Sequence, residues 1–262
     1  MKTITSRDNP VLKSARKLLS RKGREEAGAF LVPGKKLISE AAAAGFKIDC
    51  VFVNAGALLR DEAAPEEYAN EIVLEEGLFR DLAQTVNPQP FIAVVRRQGL
   101  AGGPENIAGM HGGPERVLIL DRISDPGNVG TMIRTALAAG LSSVWCVRGT
   151  ADAFSDKAIR ASAGAVFHMP VAEKFSAQDC IDRIGGMGVK LFVCSPGGGN
   201  VFKTEFTDFF TLVIGSENEG PQKAFLDAAD AVVGIPMAKA SESLNAASAA
   251  AVVMYEALRQ RS

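Results

Sequence analysis

From Arg116 onward, short apolar runs alternate with helix-like segments, and this pattern constrains the fold more than any other feature of the chain. Val117–Leu120, Val144–Val147, Leu191–Cys194, Leu212–Gly215 and Ala231–Ile235 are near-continuous hydrophobic runs, separated by segments expected to be helical at 128–139, 155–163, 178–186 and 221–229. A strand that is apolar at every position must be covered on both faces, which a parallel sheet sandwiched between helices achieves. Ligands of such sheets bind beyond the carboxyl ends of the strands. The fold class is therefore α/β, with a parallel-sheet domain over 116–262.

The first part of the chain reads differently. Residues 9–22 form a helical pattern with Leu12, Ala15, Leu18 and Leu19 on one face and Lys and Arg on the other, the basic face being expected to point outward. Phe30–Val32, Val51–Val53, Ile72–Leu74 and Phe91–Val95 are strand-like, 35–44 is a helix stopped by Gly45, and 78–83 is helix-like. This describes a small mixed α/β domain over 1–98. Between 99 and 114 there are six glycines in sixteen residues and no apolar period, which marks 99–115 as a linker.

A chain of 262 residues can bury a sizeable core in one or two domains. No run of eighteen apolar residues predicts a membrane span. The basic start could mimic a transit peptide, but Asp8 and the absence of an apolar leader core point to the cytoplasm. Cys146 and Cys194 lie in strand-like runs and read as buried small hydrophobes. With no Cys-x-x-Cys and only His111 and His168, neither a metal site nor a histidine-based mechanism is expected. The net charge of −1 conceals an asymmetry, because residues 1–36 hold ten Lys or Arg against three acids, a local charge of +7. Lys13, Arg16, Lys17, Arg21, Lys22 and Arg24 could hold a polyanion such as RNA; the alternative is a solvated helix face.

Neither Gly-x-Gly-x-x-Gly between a strand and a helix nor a P-loop is present, which disfavours a Rossmann dehydrogenase or P-loop NTPase. Instead, the run Leu212–Pro221 leads from a strand into a turn carrying Glu217, and Ile235–Asn245 leads from a second strand to the start of a long helix. Two such strand ends side by side make a candidate cofactor pocket. Gly197–Gly199, after Ser195, is either a flexible turn or a place where backbone approaches a ligand. Upstream, Leu120–Ala136 carries Asn128 and Arg134; the spacing 128, 131 and 134/135 is expected to set Asn128, Thr131 and Arg134 close to one helical face. Taken singly, Asn128 could be a cap and Arg134 a surface charge.

Together these segments resemble the three ordered motifs of the SpoU (TrmH-like) RNA methyltransferases of the SPOUT superfamily. The match rests on Asn128 and Arg134 six apart, Glu217 in Gly-Ser-Glu-Asn-x-Gly, and Ile-Pro-Met before Ser-Leu-Asn. The first hundred residues resemble, more loosely, the substrate-binding domain that often precedes the catalytic one. The resemblance implies a deep trefoil knot near the carboxyl end and a homodimer whose site is completed at the interface. It implies S-adenosylmethionine bound in a bent form by Ser195, Gly215, Glu217, Gly220, Ile235, Met237, Leu244 and Asn245. It further implies methylation of a ribose 2′-hydroxyl in RNA, with ribosomal RNA first, transfer RNA second, and a non-catalytic RNA-binding protein or a base methylase as other readings. In that scheme Arg134 clamps a phosphate, Asn128 orients Arg134, Glu217 holds the loop or the arginine, and Ser243 and Asn245 frame the methyl donor. Lys239 departs from the family pattern, which has Gly there. The alanine-rich last helix permits close approach of another helix, within the core or across subunits.

Overall fold

In a computed structural model of the chain, residues 2–58, 70–97, 101–102, 115–238 and 244–262 are described. The first unit contains β1 (Lys2–Ile4), α1 (Pro10–Lys17), α2 (Arg21–Ala27), β2 (Ala29–Pro33), α3 (Lys35–Ala43), β3 (Ile48–Asn54), α4 (Ala55–Leu58), β4 (Glu71–Leu74), α5 (Glu76–Leu82) and β5 (Phe91–Arg96). Its sheet has the order β1-β4-β3-β5-β2; β1, β4 and β3 are parallel, and β5 runs antiparallel to both of its neighbours.

The single helix expected over 9–22 is two helices. Ser20 accepts from the Gly23 amide and caps a new start, and a Cβ on Gly23 would stand 1.9 Å from the Lys17 carbonyl oxygen. Only glycine permits so tight a turn. The bend carries Arg21 and Arg24 away from the outward face and toward the rest of the molecule.

The second unit contains β6 (Ala101–Gly102), β7 (Arg116–Asp121), α6 (Pro126–Ala138), β8 (Ser143–Val147), α7 (Asp156–Ser162), β9 (Val171–Phe175), α8 (Ala177–Met187), β10 (Lys190–Asn200), β11 (Phe210–Gly215), α9 (Lys223–Ala228), β12 (Ala231–Gly234) and α10 (Ala246–Arg259). Every pairing in its sheet, of order β12-β10-β11-β7-β8-β9-β6, is parallel. The five anticipated strands are present. Strand β9 was not anticipated, because Glu173 and Lys174 interrupt its apolar pattern; Glu173 is nevertheless buried, paired with Arg97. Ala101–Gly102, within the stretch read as linker, extends the sheet edge. Strand β10 continues through the glycine triplet to Asn200, where a Cβ on Gly198 would meet the Val233 carbonyl carbon at 2.6 Å.

One hydrophobic core runs through both units. Phe30 and Phe46 of the first pack with Phe154 and Phe167 of the second, at ring-centroid separations of 5.1 to 6.4 Å. Such aromatic contacts bury large apolar areas and prefer tilted or offset geometry. A buried ion pair reinforces the junction: Arg24 donates from Nε to Asp152 at 2.7 Å and from Nη1 to the Leu18 and Leu19 carbonyls. Among the described residues, no helix is long and apolar enough to cross a membrane and no cluster of His, Cys, Asp and Glu is placed to hold a metal ion.

Candidate cofactor and RNA site

Three strand ends converge at the carboxyl edge of the parallel sheet. After β7, Asp125 caps α6 by accepting from the Gly127 amide at 2.6 Å, and Lys157 pairs with it at 2.8 Å. The hydrogen bond from Lys157, followed by that from Gly127, holds the Asp125 carboxyl below its usual range. Asn128 thereby enters the first turn of α6. After β11, the turn 216–220 closes through a Gly220 amide to Ser216 carbonyl bond of 2.9 Å. Gly215 is obligatory at its entry, since a Cβ there would stand 2.1 Å from the Pro221 nitrogen. After β12 and the stretch around Ile235, Asn245 caps α10 by accepting from the Ala247 and Ser248 amides at 2.9 and 3.3 Å.

These side chains form one hydrogen-bonded line. Asn245 Nδ2 donates to Asn128 Oδ1 at 3.1 Å, and Asn128 Nδ2 donates to Glu217 Oε1 at 2.6 Å. Because the Asn245 oxygen is committed to its own helix, its nitrogen must face Asn128, and that contact in turn aims the Asn128 nitrogen at Glu217. Asn128 pairs with Glu217 and Asn245 and makes no side-chain hydrogen bond to Arg134 among the described residues. The expectation of one shared face gives way here: six residues rotate Arg134 about 120° from Asn128 around the helix axis. Arg134 is exposed, with no hydrogen bond or ion pair among the described residues. Thr131 and Thr135 bond back to the carbonyls of Gly127 and Thr131.

Beside the line lies a cavity of about 140 Å³. Ser195, Gly215, Glu217, Gly220, Ile235, Met237 and Leu244 all line it, together with Cys194, Pro196, Ile214, Ser216, Pro221, Ala246 and Ala249. Of these, Cys194, Ile214, Pro221, Ala246 and Ala249 escaped the sequence reading because in isolation they look like ordinary strand, turn or core residues. Asn245 does not line the cavity; its side-chain nitrogen meets Asn128 instead. Burial pushes the Cys194 thiol up to about 11, so it stays neutral. The chemistry suits an adenosine-bearing cation: apolar walls from Ile214, Ile235 and Leu244 for the ring, backbone on the glycine turns for its polar edge, and the Glu217 carboxylate at the margin for positive charge. The space is smaller than the roughly 300–1,000 Å³ of a complete ligand pocket. Ser243 and Lys239 lie outside the described residues.

The basic helix residues divide. Lys17 and Lys22 are exposed, Lys13 is exposed and paired with Asp8 at 2.7 Å, and Arg16 pairs with Asp81 at 2.8 Å. Arg21 donates to Glu25 at 3.1 Å and to the Thr150 carbonyl at 2.9 Å. Arg24, expected to contact RNA, is instead only 8% exposed and its guanidinium is spent on Asp152 and the Leu18 and Leu19 carbonyls. The physical reason is the turn at Ser20–Gly23, which swings α2 under the second unit.

Comparison with known proteins agrees with this geometry. Residues 115–255 match the SpoU rRNA Methylase family, and residues 9–93 match the MRM3-like substrate binding domain. The chain is 33% identical over 260 residues to the 23S rRNA (guanosine(2553)-2′-O)-methyltransferase of Bacillus subtilis, covering 97% of this chain and 98% of that one. It is 31% identical over 272 residues to the 23S rRNA (uridine(2479)-2′-O)-methyltransferase of Streptomyces viridochromogenes, covering 98% and 92%. The crystal structure of the SpoU methyltransferase AviRb from Streptomyces viridochromogenes in complex with AdoMet superposes with a TM-score of 0.83 at 30% identity, over 97% of this chain and 98% of that one. The AdoMet-bound rRNA methyltransferase of Sinorhizobium meliloti gives the same TM-score at 29% identity, over 98% and 97%. The chain, with its all-parallel SPOUT-type sheet, belongs to the SpoU rRNA methylase family.

Proposed function

We propose that this protein transfers the methyl group of S-adenosylmethionine to a ribose 2′-hydroxyl of ribosomal RNA. The observation that carries the reading is the Glu217–Asn128–Asn245 line at the margin of an apolar cavity, with the Arg134 guanidinium on the same helix left free for substrate. The bound cofactor supplies a methyl group on a positive sulfur, which needs no protein acid to leave. Gly215, Ile235, Met237 and Leu244 would hold the donor, and Glu217, fixed by Asn128, would offer a negative charge to its positive group. A ribose hydroxyl is a weak nucleophile until its proton has somewhere to go. Arg134 is not that base, because a guanidinium has no basic nitrogen free to take a proton in a protein. It clamps the neighbouring phosphate and stabilises charge developing on the 2′-oxygen, and the phosphate or a water takes the proton. By the family motif, Ser243 would also serve the donor.

Lys13, Lys17 and Lys22 on the first unit, with Arg16 and Arg21 behind them, meet the RNA backbone. Residues 1–98 thus serve as substrate domain, 99–115 as connection and 116–262 as catalytic domain. Membership of the family supports a trefoil knot near the carboxyl end, where α10 follows the edge strand β12 and packs on α6. Exposed Leu137 on α6 and Tyr255 on α10 support a homodimer across these helices, in the cytoplasm where its RNA resides. The test uses methyl-labelled S-adenosylmethionine with unmodified ribosomal RNA, assembled ribosomal particles and transfer RNA, followed by alkaline digestion. Methylation of a 2′-hydroxyl blocks its attack on the adjacent phosphate, so label is expected in alkali-stable dinucleotides from ribosomal RNA. Label in mononucleotides would mean base methylation, and label confined to transfer RNA would reassign the substrate.

A further inference from the structure

The loop 216–220 supplies Glu217 and part of the cavity wall, yet the residues that fasten its far end are not among those singled out from the sequence. Asp121, fully buried at the end of β7, accepts from the Gln222 amide and from Gln222 Nε2, both at 2.6 Å. The next residue, Arg122, reaches from β7 across to the loop. Its Nη2 donates to the Gly220 carbonyl at 3.1 Å, its Nη1 pairs with Glu219, and its Nε donates to Asp121 at 3.2 Å. One planar guanidinium therefore spans a strand end, a loop carbonyl and a loop carboxylate, which its rigid fork allows and an ammonium does not.

The backbone of Arg122 is strained. Its φ is +60°, in the left-handed region that residues with a Cβ rarely adopt. Strain of this kind persists where the surroundings over-determine it, and it gathers at functional sites. The surroundings here are specific. The Arg122 amide donates to Thr150 Oγ1 at 3.0 Å, Thr150 Oγ1 donates to the Leu120 carbonyl at 2.8 Å, and Arg21 of the first unit donates to the Thr150 carbonyl. Gly149, at φ +96°, leaves the space that the Arg122 side chain crosses: a Cβ there would stand 3.2 Å from Arg122 Cγ.

We propose that Arg122 is a positioning residue for the cofactor loop, holding residues 216–220 so that Glu217 meets Asn128 and Gly215 and Gly220 wall the cavity. The inference rests on the reading of that cavity as the S-adenosylmethionine site. Arg122 does not line the cavity and acts only through the loop.

Arg122→Gly in the full chain is the informative variant, because glycine adopts the observed backbone without strain and the fold is spared. Amide exchange is measured across 215–222 without ligand, together with the S-adenosylmethionine Kd by calorimetry and the split between its KM and kcat. The expected result is exchange in 216–222 faster by about tenfold, Kd and KM for the cofactor raised by about tenfold, kcat changed less, and exchange in α6 and β8 unaltered. Arg122→Lys, keeping a charge for Glu219 but losing the fork, should recover only part of the affinity. Unchanged loop exchange, or a cofactor Kd within about twofold of wild type, would overturn the proposal. The exchange measurement needs no cofactor, so it decides the tether even if the wild-type protein fails to bind S-adenosylmethionine, an outcome that would instead sink the methyl-transfer reading.

Discussion

Asn128 Nδ2 donates to Glu217 Oε1 at 2.6 Å, joining the first turn of α6 to the loop after β11. Asn128 cannot rotate to another partner without also losing Asn245. Asn128→Asp would remove the donor and set a second carboxylate against Glu217. Losing a hydrogen bond to a charged partner and adding like-charge repulsion costs about 1–3 kcal/mol, so kcat/KM should fall about 10–100-fold. Steady-state methylation assays check this, and retained wild-type activity would show the line to be ornamental to catalysis.

Arg134 is exposed and unpaired among the described residues, so its replacement should leave the fold alone. Arg134→Lys keeps the charge but loses the bidentate geometry. We expect single-turnover methyl transfer to slow by about 10²-fold, as when one preorganised donor to a developing anion is removed. The melting temperature should stay within about 1 °C, since surface substitutions rarely change stability by more than a few tenths of a kcal/mol. Full activity in this variant would remove the phosphate-clamp role.

Gly215→Ala forces a methyl group to within 2.1 Å of the Pro221 nitrogen and 2.3 Å of the Gly220 carbonyl carbon. Both are backbone atoms and cannot swing aside, so the loop itself must shift. Cofactor affinity by calorimetry should drop at least about tenfold, the equivalent of 1.4 kcal/mol. An unchanged Kd would mean that the loop does not wall the cofactor site.

The Arg24–Asp152 pair ties the two units together beneath the surface, with both residues under 10% exposed. Arg24→Met strands the carboxylate in a buried site, which typically costs about 3–5 kcal/mol. Adding Asp152→Asn should recover much of that loss, because the amide oxygen can still accept from the Phe154 amide as Asp152 now does at 2.7 Å. Denaturant titrations of the two variants test the order; equal stabilities would show that the charge is not what is costly.

Acid stability has an identifiable contributor at the end of α10. Hydrogen bonds from Arg259, then from Gln260, hold the Glu256 carboxyl at about 2 against its usual 4.5. A carboxyl with a depressed folded-state value stabilises the fold above 4.5, and the contribution is lost as pH falls from 4.5 toward 2. Gln260 in turn anchors the Thr204–Phe206 segment. Glu256→Gln should therefore lower stability at neutral pH and flatten its decline across that acid window. Parallel slopes for the two proteins would exclude the contribution.

The parallel sheet was legible because strands such as Leu212–Ile214 are apolar at every position, and that pattern has one efficient burial. Much of the cavity lining was legible for a different reason: Gly215, Glu217, Ile235 and Met237 sit at strand ends, where chain geometry confines them to one edge of the sheet. The strand at 171–175 was hidden because its burial of Glu173 depends on Arg97, a partner 76 residues away. The break at Ser20–Gly23 was hidden because it turns on whether residue 23 fits beneath the Lys17 carbonyl, a contact invisible to periodicity. Arg24 and Arg122 carry the same lesson in opposite directions, since one looked like an RNA contact and is a buried tie, while the other sat inside a motif with no role read for it and reaches across to a loop. Local pattern determined which segments become strands and which loops carry polar groups, because backbone geometry and burial act over a few residues. Tertiary structure alone decided which charge meets which, because ion pairs and hydrogen bonds depend on distances between residues that the chain brings together from afar.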